Sequence, residues 1–257
     1  MAPPAGEAPG VKLYNAGAEH FKRKELDQAI DCFKRASEAD PQLYRAWAYL
    51  GMAYAQQGQL DPAIEAYRKC IDIAPDYHKA FNNVGELYRR KGLLDYAAMV
   101  FKMATEIEPK VSHYFYNLGI TYFEIGMYTQ AEDAFTHEVA LDGNDYEYAT
   151  ELAQVQFTQK NYEGALQTLS KFHEAHPDHA RAGETGARVQ MLRRRLEQLK
   201  KIAEPSGDSS KSEIRRAPLE EEDENTKTKM VEPFEGPQGK PTQDAPPGQN
   251  GPPPPKI

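Results

Sequence analysis

Cysteine is almost missing from this chain: Cys32 and Cys70 are the only two in 257 residues, too few for a disulfide framework. No stretch approaches the roughly 18–20 apolar residues that a membrane helix requires. The opening residues, MAPPAGEAPGVKLYNAG, carry neither a basic segment nor an apolar one, so no secretory leader is expected. These absences together predict a reducing, cytoplasmic setting. Catalytic signatures are missing too. There is no phosphate-cradling glycine loop, no GxSxG turn and no CxxC pair, and no carboxylate pair is spaced for acid–base work. The nearest metal pattern is His173, His176 and His179, but Pro177 breaks the helix between them, and a closed site needs about four well-placed ligands. No enzyme activity, cofactor or metal is expected. Acids outnumber bases, 39 Asp+Glu against 31 Lys+Arg for a net charge of −8, which argues against a general nucleic-acid binder.

What the chain does have is a period. Ala29, Ala63, Ala97, Ala131 and Ala165 fall 34 residues apart. A bulky column keeps the same step (Phe33, Tyr67, Phe101, Phe135, Leu169), and so does a small one (Gly17, Gly51, Gly85, Gly119, Ala153). Tyr54, Tyr88 and Tyr122 form an aromatic column, and Pro41, Pro75, Pro109 and Pro177 a proline column interrupted by Gly143. Within a unit the apolar residues follow helical spacing: Phe81, Val84, Gly85 and Tyr88 share one helix face, and Ala97, Phe101 and Ala104 share another. Gly85 is expected to let the two helices of its unit approach closely. Gly58, Gly92 and Gly126 fall where each first helix must stop, in the left-handed conformation that ends it. Asp61 before Pro62 reads as a helix N-cap.

The run Trp47, Leu50, Gly51, Tyr54, Ala63, Tyr67, Pro75, and its echo Phe81, Val84, Gly85, Tyr88, Ala97, Phe101, Ala104, Pro109, resembles the tetratricopeptide repeat family, whose unit is a 34-residue helix–turn–helix. The resemblance implies an all-α fold, a right-handed α-solenoid of five repeats at about 10–43, 44–77, 78–111, 112–145 and 146–179. Residues 180–203 then read as a capping helix with Ala187, Met191 and Leu199 along one face. Residues 1–9 are expected to form a disordered lead. From 204 to 257 the chain holds 11 of its 19 prolines, an acidic run at Glu220 to Glu224 and a terminal Pro252–Pro255 stretch. That composition buries too little apolar surface to offset chain entropy, so a disordered tail is expected, with the proline run either inert or a ligand for a polyproline-recognising domain.

In the resembling family, the first helices of successive repeats line a concave groove that holds a peptide. Helical spacing from Lys79 places Asn82, Asn83, Glu86, Arg89 and Arg90 on a stripe offset from the buried face. Across repeats one column reads Asn15, Tyr49, Asn83, Asn117, Glu151 and another Val11, Arg45, Lys79, His113, Glu147. Tyr116 and Phe123 extend the stripe, with Tyr14, Phe21 and Phe157 as further aromatic anchors. A side-chain amide can pair with any peptide group because it donates and accepts. In repeats like those of O-GlcNAc transferase such an asparagine ladder holds peptide backbone, and Asn15, Asn83 and Asn117 match it while Tyr49 and Glu151 do not. The carboxylate clamp of cochaperones fails at every register, since acids or apolar residues stand where its lysines and asparagines belong. Arg45, Lys79, Arg89, Arg90 and His113 make the groove centre basic. The reading is a non-catalytic adaptor that binds an acidic partner segment. The alternatives are self-association into homo-oligomers or service as an accessory subunit of an enzyme complex.

Overall fold

The computed structural model describes residues 8–143 and 145–203. All regular structure among them is helical, from α1 (Pro9–Lys22) to α11 (Ala182–Ala203). The acidic run at Glu220 to Glu224, the proline run and residues 1–7 lie outside the described residues. The first helices α3 (Tyr44–Gln56), α5 (His78–Arg90), α7 (Ser112–Ile125) and α9 (Tyr146–Thr158) begin 34 residues apart. The second helices keep the same step: α2 (Leu26–Ala39), α4 (Leu60–Ile73), α6 (Leu94–Ile107), α8 (Tyr128–Leu141) and α10 (Tyr162–Ala175). The chain divides into two compact units, one ending at Met127 and one starting at Tyr128.

In the first unit, α1 packs on α2, α3 on α4 and α5 on α6, and each second helix also packs on the next first helix. The reason is a glycine facing an aromatic ring. A Cβ built on Gly17, Gly51 or Gly85 would stand 2.8, 2.8 or 2.6 Å from Phe33, Tyr67 or Phe101, so any side chain there drives the helices apart. The rings themselves are buried, at 0, 2 and 0% exposure. Removing one large apolar side chain from water contributes about 1.5–3 kcal/mol, so these rings are the main cement of each pair.

The turns inside the pairs follow one design. Gly58, Gly92 and Gly126 adopt φ of +79°, +73° and +85°, and the residue after each donates its amide back to the last turn of the helix: Gln59 to Tyr54, Leu93 to Tyr88, Met127 to Tyr122. This is the left-handed helix stop in its six-to-one form. Lys24 occupies the same place with φ 61°, a strained conformation for a residue with a Cβ. Asp61 is not the N-cap expected of it. Helix α4 starts at Leu60 with Gln59 as cap, which puts Asp61 inside the first turn, where its carboxylate favours the helix dipole and pairs with Lys91.

In the second unit, α8 packs on α9, α9 on α10 and α10 on α11. Ala153, Ala165, Leu169, Val189 and Leu192 form its core, with Leu196 and Leu199 partly buried against them. The buried face of α11 thus runs through Thr185, Val189, Leu192, Leu196 and Leu199 and not through Ala187, which is exposed. Lys160 makes the turn stop at φ 62°, and Asn161 caps α10 by accepting from the Gly164 amide at 3.0 Å. No described helix is long and apolar enough to cross a membrane.

Candidate functional site

The first helices of the first unit lie side by side, α1 against α3 and α5 against α7. They carry the whole stripe read from the sequence: Asn15 on α1, Arg45 and Tyr49 on α3, Lys79 to Arg90 on α5, His113 to Phe123 on α7. Although the stripe is offset from the buried face, it is not uniformly solvated. Asn82 and Asn117 are buried, at 6 and 4% exposure. The Asn117 amide donates to Asn82 Oδ1 at 2.8 Å, and the Asn82 amide donates to Glu86 Oε1 at 2.9 Å. Buried amides need such partners, since an orphaned one costs about 1–3 kcal/mol. These two asparagines therefore hold α7 to α5.

Asn83 is half-buried and meets a different partner. Its amide donates to the Tyr67 hydroxyl of α4 at 2.9 Å. Tyr67 is the single tyrosine in the bulky column, and burial pushes its hydroxyl far above the usual phenol range, so it stays protonated and has its own hydrogen to give. In this arrangement the NH2 group of Asn83 faces Tyr67 and the carbonyl oxygen is left as acceptor. Beside the pair lies a recess of about 190 Å³ between α3 and α5. Met52, Ala55 and Leu87 give it an apolar floor; Gln56, Asn83, Glu86 and Arg90 stand around it.

The cations are spread along the face. Arg45, Lys79 and Arg90 are exposed. Arg45 donates to the hydroxyl of its neighbour Tyr44 at 3.3 Å, and Arg90 reaches the Ala55 carbonyl at 3.4 Å, on the wall of the recess. Arg89 is half-buried and pairs with Glu124 of α7 at 3.5 Å, whose carboxyl burial raises above the ordinary range against the pull of Arg89. His113 is exposed and stacks on Tyr116, ring centres 6.1 Å apart at 20°. Tyr49 does not project as a free anchor. It packs edge-on against Tyr14 at 5.4 Å and lies 5.6 Å from Phe33, which makes it part of the α1–α3 cement. Phe123 is half-buried on α7 and Asn15 exposed on α1.

Elsewhere the reactive side chains are occupied by packing. Cys70 is buried, and burial pushes its thiol up to about 12, so it is no nucleophile at neutral pH. His179 stacks on Tyr146 at 5.6 Å and His176 lies 4.7 Å from Phe172, while His173 borders a recess beside α11. No three His, Cys, Asp or Glu side chains among the described residues converge as metal ligands. Sequence reasoning missed Tyr67, which lines the recess and bonds to Asn83. Its signal was there, a lone hydroxyl in a column otherwise of Phe and Leu.

A family model described as the Cilia and flagella-associated protein 70 C-terminal domain matches residues 43–172, and one described as TPR repeat matches residues 17–58. No curated protein matches the sequence. Among solved structures, MamA superposes with a TM-score of 0.62 at 18% identity, covering 67% of this chain and 94% of that one. PilF of Pseudomonas aeruginosa gives 0.57 at 23% identity, covering 77% and 93%. YrrB, described as a TPR protein with an unusual peptide-binding site, gives 0.59 at 18% identity, covering 71% and 94%. At these identities the likeness is one of fold. Since the first family match takes in half of the chain and the second carries the name of the repeat, the chain belongs to the tetratricopeptide-repeat family, in the group described as the Cilia and flagella-associated protein 70 C-terminal domain.

Proposed function

We propose that the chain is a non-catalytic scaffold that holds an acidic segment of a partner protein against the first-helix face of its first unit. One observation carries the reading: Arg45 on α3 and Lys79 and Arg90 on α5 are exposed on neighbouring first helices, and Arg90 borders a recess that also holds Asn83, bonded to Tyr67. Exposed cations of one sign attract and align a negatively charged chain. The recess has room for one side chain of the bound segment, and the Asn83 carbonyl oxygen can accept from its backbone N–H. The description of YrrB as a peptide-binding TPR protein supports the same use of this fold.

The test uses the full chain and fluorescent ten-residue peptides of net charge −4, 0 and +4 around a central leucine. The −4 peptide should bind most tightly and weaken as salt is raised, because exposed charges are screened within about 10 Å at 0.1 M. Lys79→Glu with Arg90→Glu should cost at least tenfold in affinity with little change in melting temperature, both side chains being exposed. A loss confined to the charge preference would remove the acidic partner from the reading. Equal binding by wild type and the double variant would remove this face. A mass that climbs with concentration in light scattering would favour self-association.

A further inference from the structure

One column of the repeat changes character in the second unit. Ala36, Cys70 and Ala104 are fully buried small residues on α2, α4 and α6; the next member of the column is Glu138, on α8. Its side chain is fully buried as well, and neither carboxyl oxygen has a hydrogen-bond partner among the described residues. A buried, unpaired carboxylate is among the least favourable groups a fold can hold, and such a group neutralises itself instead. Among the described residues the charged groups acting on it offer no cation: Asp145 at the cap of α9, Glu151 on α9, and Asp142 just past the end of α8. His137 is its neighbour in sequence, but consecutive helix residues do not share a face. Glu151 itself is half-buried; burial raises it first and Glu147 next, with Arg188 of α11 pulling the other way. Since Glu138 is enclosed, a proton is the cation that can reach it without parting the helices.

We propose that Glu138 makes the packing of α8 on α9 a proton-held latch, closed while its carboxyl carries a proton and loosened as it loses it. The direction follows from where the proton sits. Burial lifts Glu138 from 4.5 to about 9, so the folded unit holds a proton that the open one has released. Below pH 4.5 both states carry it and the packing is at full strength. As pH rises from there stability falls, and it levels off above about 9. The proton contributes up to tenfold per pH unit in the closing equilibrium.

The full chain, labelled with carbon-13 at glutamate carboxyls, tests this by NMR titration from pH 4 to 10. Hydrogen exchange of the α8 and α9 amides, corrected for the intrinsic pH dependence, supplies the second readout. Glu138 should titrate near 9, and protection of α8 and α9 should fall by up to tenfold per unit between pH 7 and 9. Glu138→Gln, which keeps the shape and cannot ionise, should hold its protection flat over that range and exceed wild type at pH 9. Titration of Glu138 in the ordinary carboxylate range, or an equal pH slope in wild type and variant, would overturn the latch. Should the variant fail to fold, the titration of the wild-type carboxyl decides alone.

Discussion

The two units obey the same 34-residue period with different side chains at its key positions. In the first, a glycine faces an aromatic ring: Gly17 and Phe33, Gly51 and Tyr67, Gly85 and Phe101. In the second, the α9–α10 pair sets Ala153 and Leu169 in those columns, and the two share one core. The methyl added on one helix is matched by the ring lost on the other, so the pair still closes. Helix starts differ too. None of α1 to α7 has a side-chain N-cap, whereas Asp145 caps α9 and Asn161 caps α10. A cap contributes about 1 kcal/mol, which helps a unit whose turn stop is a strained lysine and whose interior holds Glu138. The lesson is that a repeat column prescribes a volume and a conformation, and a residue that breaks the prescription is tolerated where its neighbours compensate or where it changes protonation state.

The strongest way to break this comparison is to move the charge. Ala104→Glu places the second unit's carboxyl in a fully buried position of the first unit. An unpaired buried charge costs about 3–5 kcal/mol and overpacking adds to it, so the variant should melt far below wild type at pH 7 and recover part of the loss near pH 4.5, where the group is neutral. A modest, pH-independent loss would mean that the column tolerates acids generally and that Glu138 is unexceptional.

Next in size is Gly85→Leu. With Phe101 only 2.6 Å from where a Cβ would stand, the substitution should cost about 1–3 kcal/mol or more, read as a lower thermal midpoint. Ala153→Leu, in the same column opposite a leucine, should cost less. Equal losses would erase the distinction between the two pairings.

The smallest effects concern the turns. Gly92→Ala should destabilise by about 1 kcal/mol, because its φ of +73° is unfavourable for any residue with a Cβ. Lys160→Gly should do the reverse by up to about 1 kcal/mol, relieving a φ of 62°. Urea midpoints at a common slope would resolve both signs.

Much of the architecture was legible because it is local. Gly58, Gly92 and Gly126 stop helices where the spacing said they would, since only the backbone at that residue decides the matter. The stripe Lys79 to Arg90 was correctly placed on one helix, α5, since 3.6-residue periodicity needs no partner. What depends on a neighbouring helix was not legible. Asn82 and Asn117, on a stripe offset from the buried face, are buried all the same, and the face of α11 that carries Ala187 is exposed. Helical spacing says which residues share a face, and only the neighbouring helix decides how deep that face is buried.

By itself the sequence determined the repeat length, the pairing of helices and the sites where small residues must face large ones, all consequences of side-chain volume recurring at a fixed interval. The tertiary structure alone decided which polar groups spend themselves on one another. It set Asn83 against Tyr67 across 16 residues and Asn117 against Asn82 across 35, and it sealed Glu138 from water among acidic neighbours. Hydrogen bonds and pKa values depend on angstrom distances and on solvent exclusion between segments far apart in the chain, and a one-dimensional pattern carries neither.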